Sequence, residues 1–247
     1  MLAYLFLGIL QGVFEWLPVS SEGIVALASQ FLEIRVNPVD LALFLHLGTL
    51  GAVLVYFKKD WQKMISLKDK KLLRFLVISS LISLIISYPI YQLVRNTILG
   101  ASLLLIMGFA LLGTAFLNKK KKKLNLISFE KLALVAGFFQ GLAVIPGFSR
   151  SASTIFVLSL GELKPVEILK TSYMMSVPIV LASSTYLFLK NPVLILESWP
   201  ALMTSFLTGF LSLNFLINLA KKLDFFKFAL FFSLACFLGV VVKLMVG

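Results

Sequence analysis

The sequence predicts an all-α integral membrane protein with six transmembrane helices and two re-entrant helical hairpins, arranged as an inverted-topology repeat. The composition is the first reason, because 60% of the 247 residues are hydrophobic and only 14% are charged, against about 45–50% and about 25% in soluble domains. The other reasons are six long apolar segments and two apolar stretches that polar residues interrupt. This composition excludes a soluble globular enzyme and a disordered chain. A disulfide scaffold is also excluded, because Cys236 is the only cysteine.

Six segments have close to the roughly 20 apolar residues that a membrane-spanning helix needs. They are residues 40–57, 72–93, 97–117, 168–189, 200–219 and 226–246. Two further apolar stretches, residues 1–33 and 131–161, are broken near their middle by charged residues, proline and serine. Irregular backbone at membrane depth is tolerated only where protein buries it or where it lines a cavity. We therefore predict that both stretches are re-entrant hairpins.

The basic residues predict how the chain is oriented. Eighteen of the 23 Lys and Arg residues lie in four regions that share one side if the hairpins do not cross the membrane: 58–74, 118–131, 164–170 and 221–227. The positive-inside rule makes that side cytoplasmic. The net charge of +12 thus concerns membrane orientation, and no nucleic-acid partner is expected. We expect a multi-pass protein of the plasma membrane.

The two interrupted stretches share a sequence pattern. Two glycines and a glutamine recur at an offset of 129, and a proline recurs at an offset of 128: Gly8, Gln11, Gly12 and Pro18 match Gly137, Gln140, Gly141 and Pro146. Residues 1–123 and 124–247 would each contain one hairpin followed by three spans. Because three is odd, the second repeat must be inverted, as in many transporters whose sites lie at broken helices. The two hairpin tips would then meet near the membrane midplane.

The second hairpin contains residues suited to an oxyanion. Gly147 permits a tight turn, and a helix starting after it would direct free N–H groups at that turn. Arg150 adds a planar fork that suits phosphate oxygens. Hydroxyl donors surround it at Ser149, Ser151 and Thr154. The alternative is a Ser/Thr-rich helix cap without a ligand.

The first hairpin contains a carboxylate at the matching depth. Gln11 and Glu15 are four residues apart, so both project from one helical face. Glu15 could hold a divalent cation that bridges to a phosphate, or act as a general base. Ser20 and Ser21 follow the turn as helix caps, phosphate ligands or, for Ser21, a nucleophile. A purely structural ion pair between Glu15 and Arg150 is the alternative interpretation.

The only histidine, His46, lies within the predicted span 40–57. We interpret it as a packed or hydrogen-bonded residue of that span rather than as a catalytic base.

The segments Gln11–Ser21 and Pro146–Ser151 resemble the two motifs of the undecaprenyl-diphosphate phosphatase family, also called the bacitracin-resistance protein family. The resemblance implies hydrolysis of a polyprenyl diphosphate lipid to the monophosphate and inorganic phosphate. This reaction recycles the lipid carrier for cell-envelope glycan synthesis. The resemblance also implies a site open to the extracytoplasmic side and a divalent cation, Mg²⁺ or Ca²⁺. By position, Glu15 is the essential carboxylate, Ser21 the motif serine and Arg150 the phosphate-binding arginine. Gln11 takes the other position of the first motif.

One part of the first motif departs from the family pattern. The family commonly has Ser-Ser-x-Gly-His, whereas this chain continues from Ser21 as Glu22, Gly23 and Ile24. Ile24 cannot transfer a proton. Glu22 is a candidate base or metal ligand, or else a first-turn acid that the helix dipole stabilises.

The sequence therefore predicts a membrane phosphatase with catalytic residues Glu15, Ser21 and Arg150 and with Glu15 or Glu22 as metal ligand. The predicted phosphate-binding residues are Gln11, Ser20, Gly147, Ser149, Arg150, Ser151 and Thr154. The alternative function is a flippase or transporter of polyprenyl phosphate, which inverted repeats also suit. A structural membrane scaffold is disfavoured by the polar residues at both breaks. The expected partners are the lipid substrate and the bilayer, and a homodimer is left open.

Overall fold

The computed structural model describes residues 1–16, 21–34, 36–97, 129–145, 148–158, 165–190 and 193–222, with residues 161 and 163 and scattered positions within 105–116 and 230–241. Every regular element among these residues is a helix. In chain order the helices are α1 (Leu2–Phe14), α2 (Ser21–Phe31), α3 (Pro38–Tyr56), α4 (Lys58–Ile65), α5 (Lys70–Thr97), α6 (Phe129–Leu142), α7 (Arg150–Leu158), α8 (Pro165–Lys190) and α9 (Val193–Lys222).

Three of the described helices are long and apolar enough to cross a membrane: Pro38–Tyr56, Lys70–Val94 and Glu167–Lys190. They coincide with the predicted spans 40–57, 72–93 and 168–189, so the all-α membrane class is confirmed. Helix α9 covers the predicted span 200–219. The predicted spans 97–117 and 226–246 lie largely outside the described residues.

Each interrupted stretch contains two described helices with a break between them. Helices α1 and α2 correspond to the first predicted hairpin, and helices α6 and α7 correspond to the second. The second chain reversal starts as α6 ends, where Ala143 N–H donates to Gln140 O (3.1 Å) and Ile145 N–H donates to Leu142 O (3.1 Å). The breaks therefore fall where the sequence predicts them.

Helices α1, α3 and α9 run in the same direction. Along α3 and α9, Ser205 donates to the carbonyl oxygen of Leu45 (3.0 Å) and Tyr56 donates to Asn214 (3.4 Å), so residue numbers rise together. Along α1 and α9, Thr204 contacts the carbonyl oxygen of Leu5 (3.3 Å), and the later Ser212 contacts that of Gly12 (2.8 Å).

Helices α5, α6 and α8 run in the opposite direction to α3. Near the start of each, Arg74 of α5 pairs with Glu130 of α6 (3.4 Å), and Lys170 of α8 pairs with Asp60 of α4 (3.1 Å). At the other end, Tyr91 of α5 donates to Asp40 of α3, and Gln92 donates to Tyr186 of α8 (2.8 Å). The two ion pairs therefore gather three of the predicted cytoplasmic regions at one end of the molecule.

Glycines let the first helix of each hairpin approach a long helix closely. A Cβ on Gly12 of α1 would lie 2.6 Å from the backbone nitrogen of Gly209 in α9. A Cβ on Gly137 of α6 would lie 2.5 Å from the carbonyl oxygen of Ser79 in α5. Such distances leave no room for a side chain. These two contacts therefore pack α1 tightly against α9 and α6 tightly against α5.

Candidate active site

The site is built around Glu15, which follows the last residue of α1 and has a 4% exposed side chain. Oε2 of Glu15 accepts from Gln11 Nε2 (2.9 Å) and from Ser21 Oγ (2.8 Å). The same oxygen lies 3.2 Å from Nε2 of His46. Oε1 forms an ion pair with Nη2 of Arg150. A buried carboxylate is stable only when such partners compensate its lost hydration.

Arg150 brings the second hairpin to the first. It is the first residue of α7, and its side chain is 15% exposed. Besides the ion pair with Glu15, its Nη1 lies 3.4 Å from the carbonyl oxygen of Ser172 in α8. The two charged residues are 135 positions apart in sequence. The fold, rather than local geometry, therefore brings them together.

Two helices begin at this ion pair. Ser21 is the first residue of α2 and Arg150 is the first residue of α7. The first N–H groups of a helix lack intrahelical partners, and its dipole places partial positive charge there. Two converging helix starts and a guanidinium group therefore favour an oxyanion.

The other predicted phosphate-binding residues differ in how close they lie to Glu15 and Arg150. Ser151 lines the cleft beside Glu15 and Arg150, and Ser149 is buried with its Oγ 3.3 Å from that of Ser151. Thr154 is buried behind them, where its hydroxyl donates to the carbonyl oxygen of Arg150 (2.8 Å). The predicted phosphate-binding residues Ser20 and Gly147 lie outside the described residues.

The charged cluster adjoins an apolar cavity. The polar cleft itself has a volume of about 10 Å³. A cavity of about 170 Å³ lies next to it, between α3, α5 and α8, and Glu22, His46 and Arg150 line both spaces. Leu84, Tyr88, Ile179 and Val180 are among the residues that line the larger one. The arrangement suits an amphiphile with an anionic head and an apolar tail.

A family model described as "Bacitracin resistance protein BacA" matches residues 4–241. The chain belongs to this family. A relative from Methanothrix thermoacetophila named undecaprenyl-diphosphatase is 34% identical over 92% of this chain and 91% of its own length. Relatives of the same name from Haloarcula marismortui and Caldicellulosiruptor bescii are each 32% identical. They cover 100% and 91% of this chain and 98% and 91% of their own lengths, respectively. These matches confirm the resemblance stated from the two motifs.

In this BacA family member, residues that the sequence does not assign to the site also lie in it or next to it. The sequence predicts His46 as a packed or hydrogen-bonded span residue. It is hydrogen-bonded, but its partners include Glu15 and Ser21. Ser172 shares a hydrogen bond with Thr154 (2.7 Å between the hydroxyl oxygens). Tyr173 donates to the carbonyl oxygen of Trp16 (2.8 Å), next to Glu15. The sequence does contain a signal for His46, because an ionisable residue inside an apolar span usually faces the protein interior and marks a functional site.

Glu22 and Ile24, where the first motif departs from the family pattern, have different surroundings. Ile24 packs against an apolar cluster that contains Trp16 and Tyr173. Glu22 is 6% exposed, and its Oε1 is buried without a hydrogen-bond partner. A buried, unpartnered carboxylate oxygen beside an anion site needs a cation or a proton to be stable.

The described residues fit a divalent cation only in part. Glu15 is a poor ligand in this arrangement, because protein donors already occupy both of its oxygens. No group of three His, Cys, Asp or Glu residues within the described part of the chain is placed to hold a metal ion. However, Mg²⁺ is usually bound by one or two carboxylates together with substrate phosphates. Oε1 of Glu22 suits such a shared cation.

Proposed function

We propose that this protein hydrolyses a polyprenyl diphosphate of the undecaprenyl type to the monophosphate and inorganic phosphate, and so recycles the lipid carrier for cell-envelope glycan synthesis. The observation that decides it is the cluster of Glu15, Ser21 and Arg150 beside an apolar cavity. The printed name of the relatives supports the same reaction.

The diphosphate would bind at the two helix starts. Arg150 would donate to oxygens of the terminal phosphate, together with N–H groups of the first turns of α2 and α7. This contact competes with the Glu15–Arg150 ion pair, so binding would release Oε1 of Glu15. The first isoprene units would lie in the apolar cavity between α3, α5 and α8.

The geometry favours Ser21 as the nucleophile, because its hydroxyl already donates to Oε2 of Glu15 at 2.8 Å. Ser21 Oγ would form a bond to the terminal phosphorus while its proton passes to Glu15. The bond from that phosphorus to the bridging oxygen breaks, and the polyprenyl monophosphate leaves with the electron pair. Water then attacks the phosphoserine, which releases inorganic phosphate, and Ser21 takes the proton back from Glu15. If Ser21 instead positions a water molecule, no phosphoserine is trapped on rapid acid quenching.

Glu22 would hold a divalent cation, Mg²⁺ or Ca²⁺, together with the bound diphosphate. When bound, such a cation neutralises phosphate charge. The supporting observation is the unpartnered Oε1 of Glu22. Glu22→Gln should raise the Mg²⁺ concentration needed for half-maximal activity. An unchanged requirement would remove Glu22 from the cation site.

We further propose six spans and two re-entrant hairpins in an inverted repeat, with the site open to the extracytoplasmic side. The opposite directions of α3 and α8, and of α1 and α6, support this arrangement. In a Cys236→Ser background, Ser66→Cys and Glu33→Cys would place single thiols at exposed positions near opposite ends. A membrane-impermeant maleimide added to intact cells should label position 33 but not position 66.

The first experiment measures phosphate released from undecaprenyl diphosphate by detergent-purified protein, with Mg²⁺ and with EDTA. Glu15→Gln should abolish release, whereas Glu33→Gln, at an exposed carboxylate after α2, should not. Normal release by Glu15→Gln would contradict the assignment. Movement of a labelled lipid phosphate across vesicles without phosphate release would favour the transporter instead.

A further inference from the structure

His46 contacts protein atoms at both of its ring nitrogens. It lies in the middle of α3 and is 9% exposed. Nδ1 is 2.7 Å from the carbonyl oxygen of Ala42, one turn earlier. A carbonyl oxygen only accepts hydrogen bonds, so Nδ1 carries a hydrogen atom and the ring orientation is fixed.

The second nitrogen faces the reacting groups. Nε2 lies 3.2 Å from Oε2 of Glu15 and 3.5 Å from Oγ of Ser21. The shorter distance is the one to Glu15, and 3.5 Å is at the limit for a hydrogen bond. His46 therefore interacts chiefly with the carboxylate, at the same oxygen that accepts from Ser21.

We propose that His46 is a positioning residue for the hydrolysis, which holds Oε2 of Glu15 towards Ser21 through a hydrogen bond that Nε2 donates. Because Nδ1 also carries a hydrogen atom, the ring in this contact is the imidazolium, and the bond to the carboxylate is charge-assisted. The inference rests on the proposed phosphatase function. Arg150 binds the other carboxylate oxygen, and its contact weakens when the diphosphate arrives. His46 and Gln11 then remain to keep the Glu15 carboxylate from rotating away from the Ser21 hydroxyl.

His46 and Gln11 reach Glu15 from different helices. Gln11 belongs to α1 and reaches Glu15, which directly follows the end of that helix, over one turn. His46 reaches it from α3, which also packs against α2, α8 and α9. The histidine thus ties the orientation of the carboxylate to the rigid bundle rather than to the hairpin alone.

The test compares two substitutions at one position. His46→Leu removes the hydrogen bond at similar volume and should lower kcat about 10- to 100-fold, the size expected for a lost hydrogen bond to a charged group, with little change in KM. His46→Gln retains an N–H donor and should recover most of the loss. Tyr56→Phe, at the exposed end of α3, removes a hydrogen bond to Asn214 instead; it is the control and should leave kcat unchanged.

Two kinetic results would overturn the inference. The first is a kcat for His46→Leu equal to that of the wild type. The second is His46→Gln as slow as His46→Leu, which would mean that a histidine proton rather than a hydrogen bond is needed.

A melting experiment separates this inference from the proposed function. The shifts in Tm caused by Glu15→Gln and His46→Leu should not add in the double variant, because the two residues share one interaction. Additive shifts would show that the contact is absent, whatever the activity. If the wild-type protein releases no phosphate while the shifts remain non-additive, the proposed function fails but the Glu15–His46 contact stands.

Discussion

The two hairpins have similar frameworks but opposite charges at their turns. In each, a helix with two glycines four residues apart packs closely against a long helix from the other half of the chain, α1 on α9 and α6 on α5. The first hairpin contributes Glu15 beyond the end of α1, and the second contributes Arg150 at the start of α7. The shared glycines therefore set how closely α1 and α6 approach their partner helices, whereas the chemistry depends on the charged residues in which the two hairpins differ.

The matching glutamines show the same divergence. Nε2 of Gln11 donates to Glu15 (2.9 Å). Nε2 of Gln140 donates to Ser83 (3.1 Å) and to the carbonyl oxygen of Met175 (3.2 Å). One amide therefore supports the Glu15 carboxylate, while the other joins α6 to α5 and α8.

Removing or exchanging the charges of Glu15 and Arg150 should have the largest effect on activity. Glu15→Gln and Arg150→Gln should each lower kcat/KM by roughly 10³-fold, because one removes a base and the other an oxyanion donor. The double variant Glu15→Arg with Arg150→Glu should recover part of the lost Tm, since it restores a buried pair, but no phosphate release. Full activity in the exchanged protein would mean that the pair is only structural. Arg74→Gln, at an exposed ion pair, is the control.

Two serines line the cleft, one from each hairpin, and they should not be equivalent. Ser21→Ala should lower kcat by roughly 10²- to 10³-fold, because it removes the proposed nucleophile. Ser151→Ala removes one neutral donor and should cost about tenfold. Phosphate release at saturating substrate measures both. A larger loss for Ser151→Ala would assign the nucleophile to the second hairpin.

The two matching glutamines, Gln11 and Gln140, should also differ in their effect on activity. Gln11→Leu should lower kcat about tenfold through the loss of one hydrogen bond to Glu15. Gln140→Leu should lower Tm but leave kcat within about threefold, since its partners lie on α5 and α8. Equal kcat losses in the two variants would contradict the difference in role.

The glycines should affect stability with the least effect on kcat. Gly12→Ala and Gly137→Ala should each cost about 1–3 kcal/mol, because the added methyl group meets backbone of the facing helix. Thermal melting in detergent measures this. Gly113→Ala is the control, because no atom of the described residues, apart from its chain neighbours and its own helix backbone, lies within 4 Å of its Cβ position. A stabilised Gly12→Ala variant would show that α1 does not approach α9 so closely.

The sequence predicts both breaks because they contain charged residues and proline, which apolar helices avoid. The contrast between polar residues and apolar surroundings also singles out Glu15, Ser21 and Arg150, which the structure brings together; their catalytic roles stay predictions. His46 was not assigned to the site, since its role depends on how α3 packs beside α1 and α2. Ser172 and Tyr173 of α8 were missed for a similar reason, because hydroxyl groups within a helix commonly bond to their own backbone. Helix α4 was predicted only as part of a basic loop.

The distance of 135 residues between Glu15 and Arg150 has a consequence for biosynthesis. The amino-terminal hairpin is made and inserted first, when its carboxylate has no guanidinium partner. Under the proposed mechanism, a nascent chain that ends before α7 would lack Arg150 and so would not attack lipid diphosphates in the membrane that receives it. Activity would begin only once the second hairpin has been made and has packed beside the first.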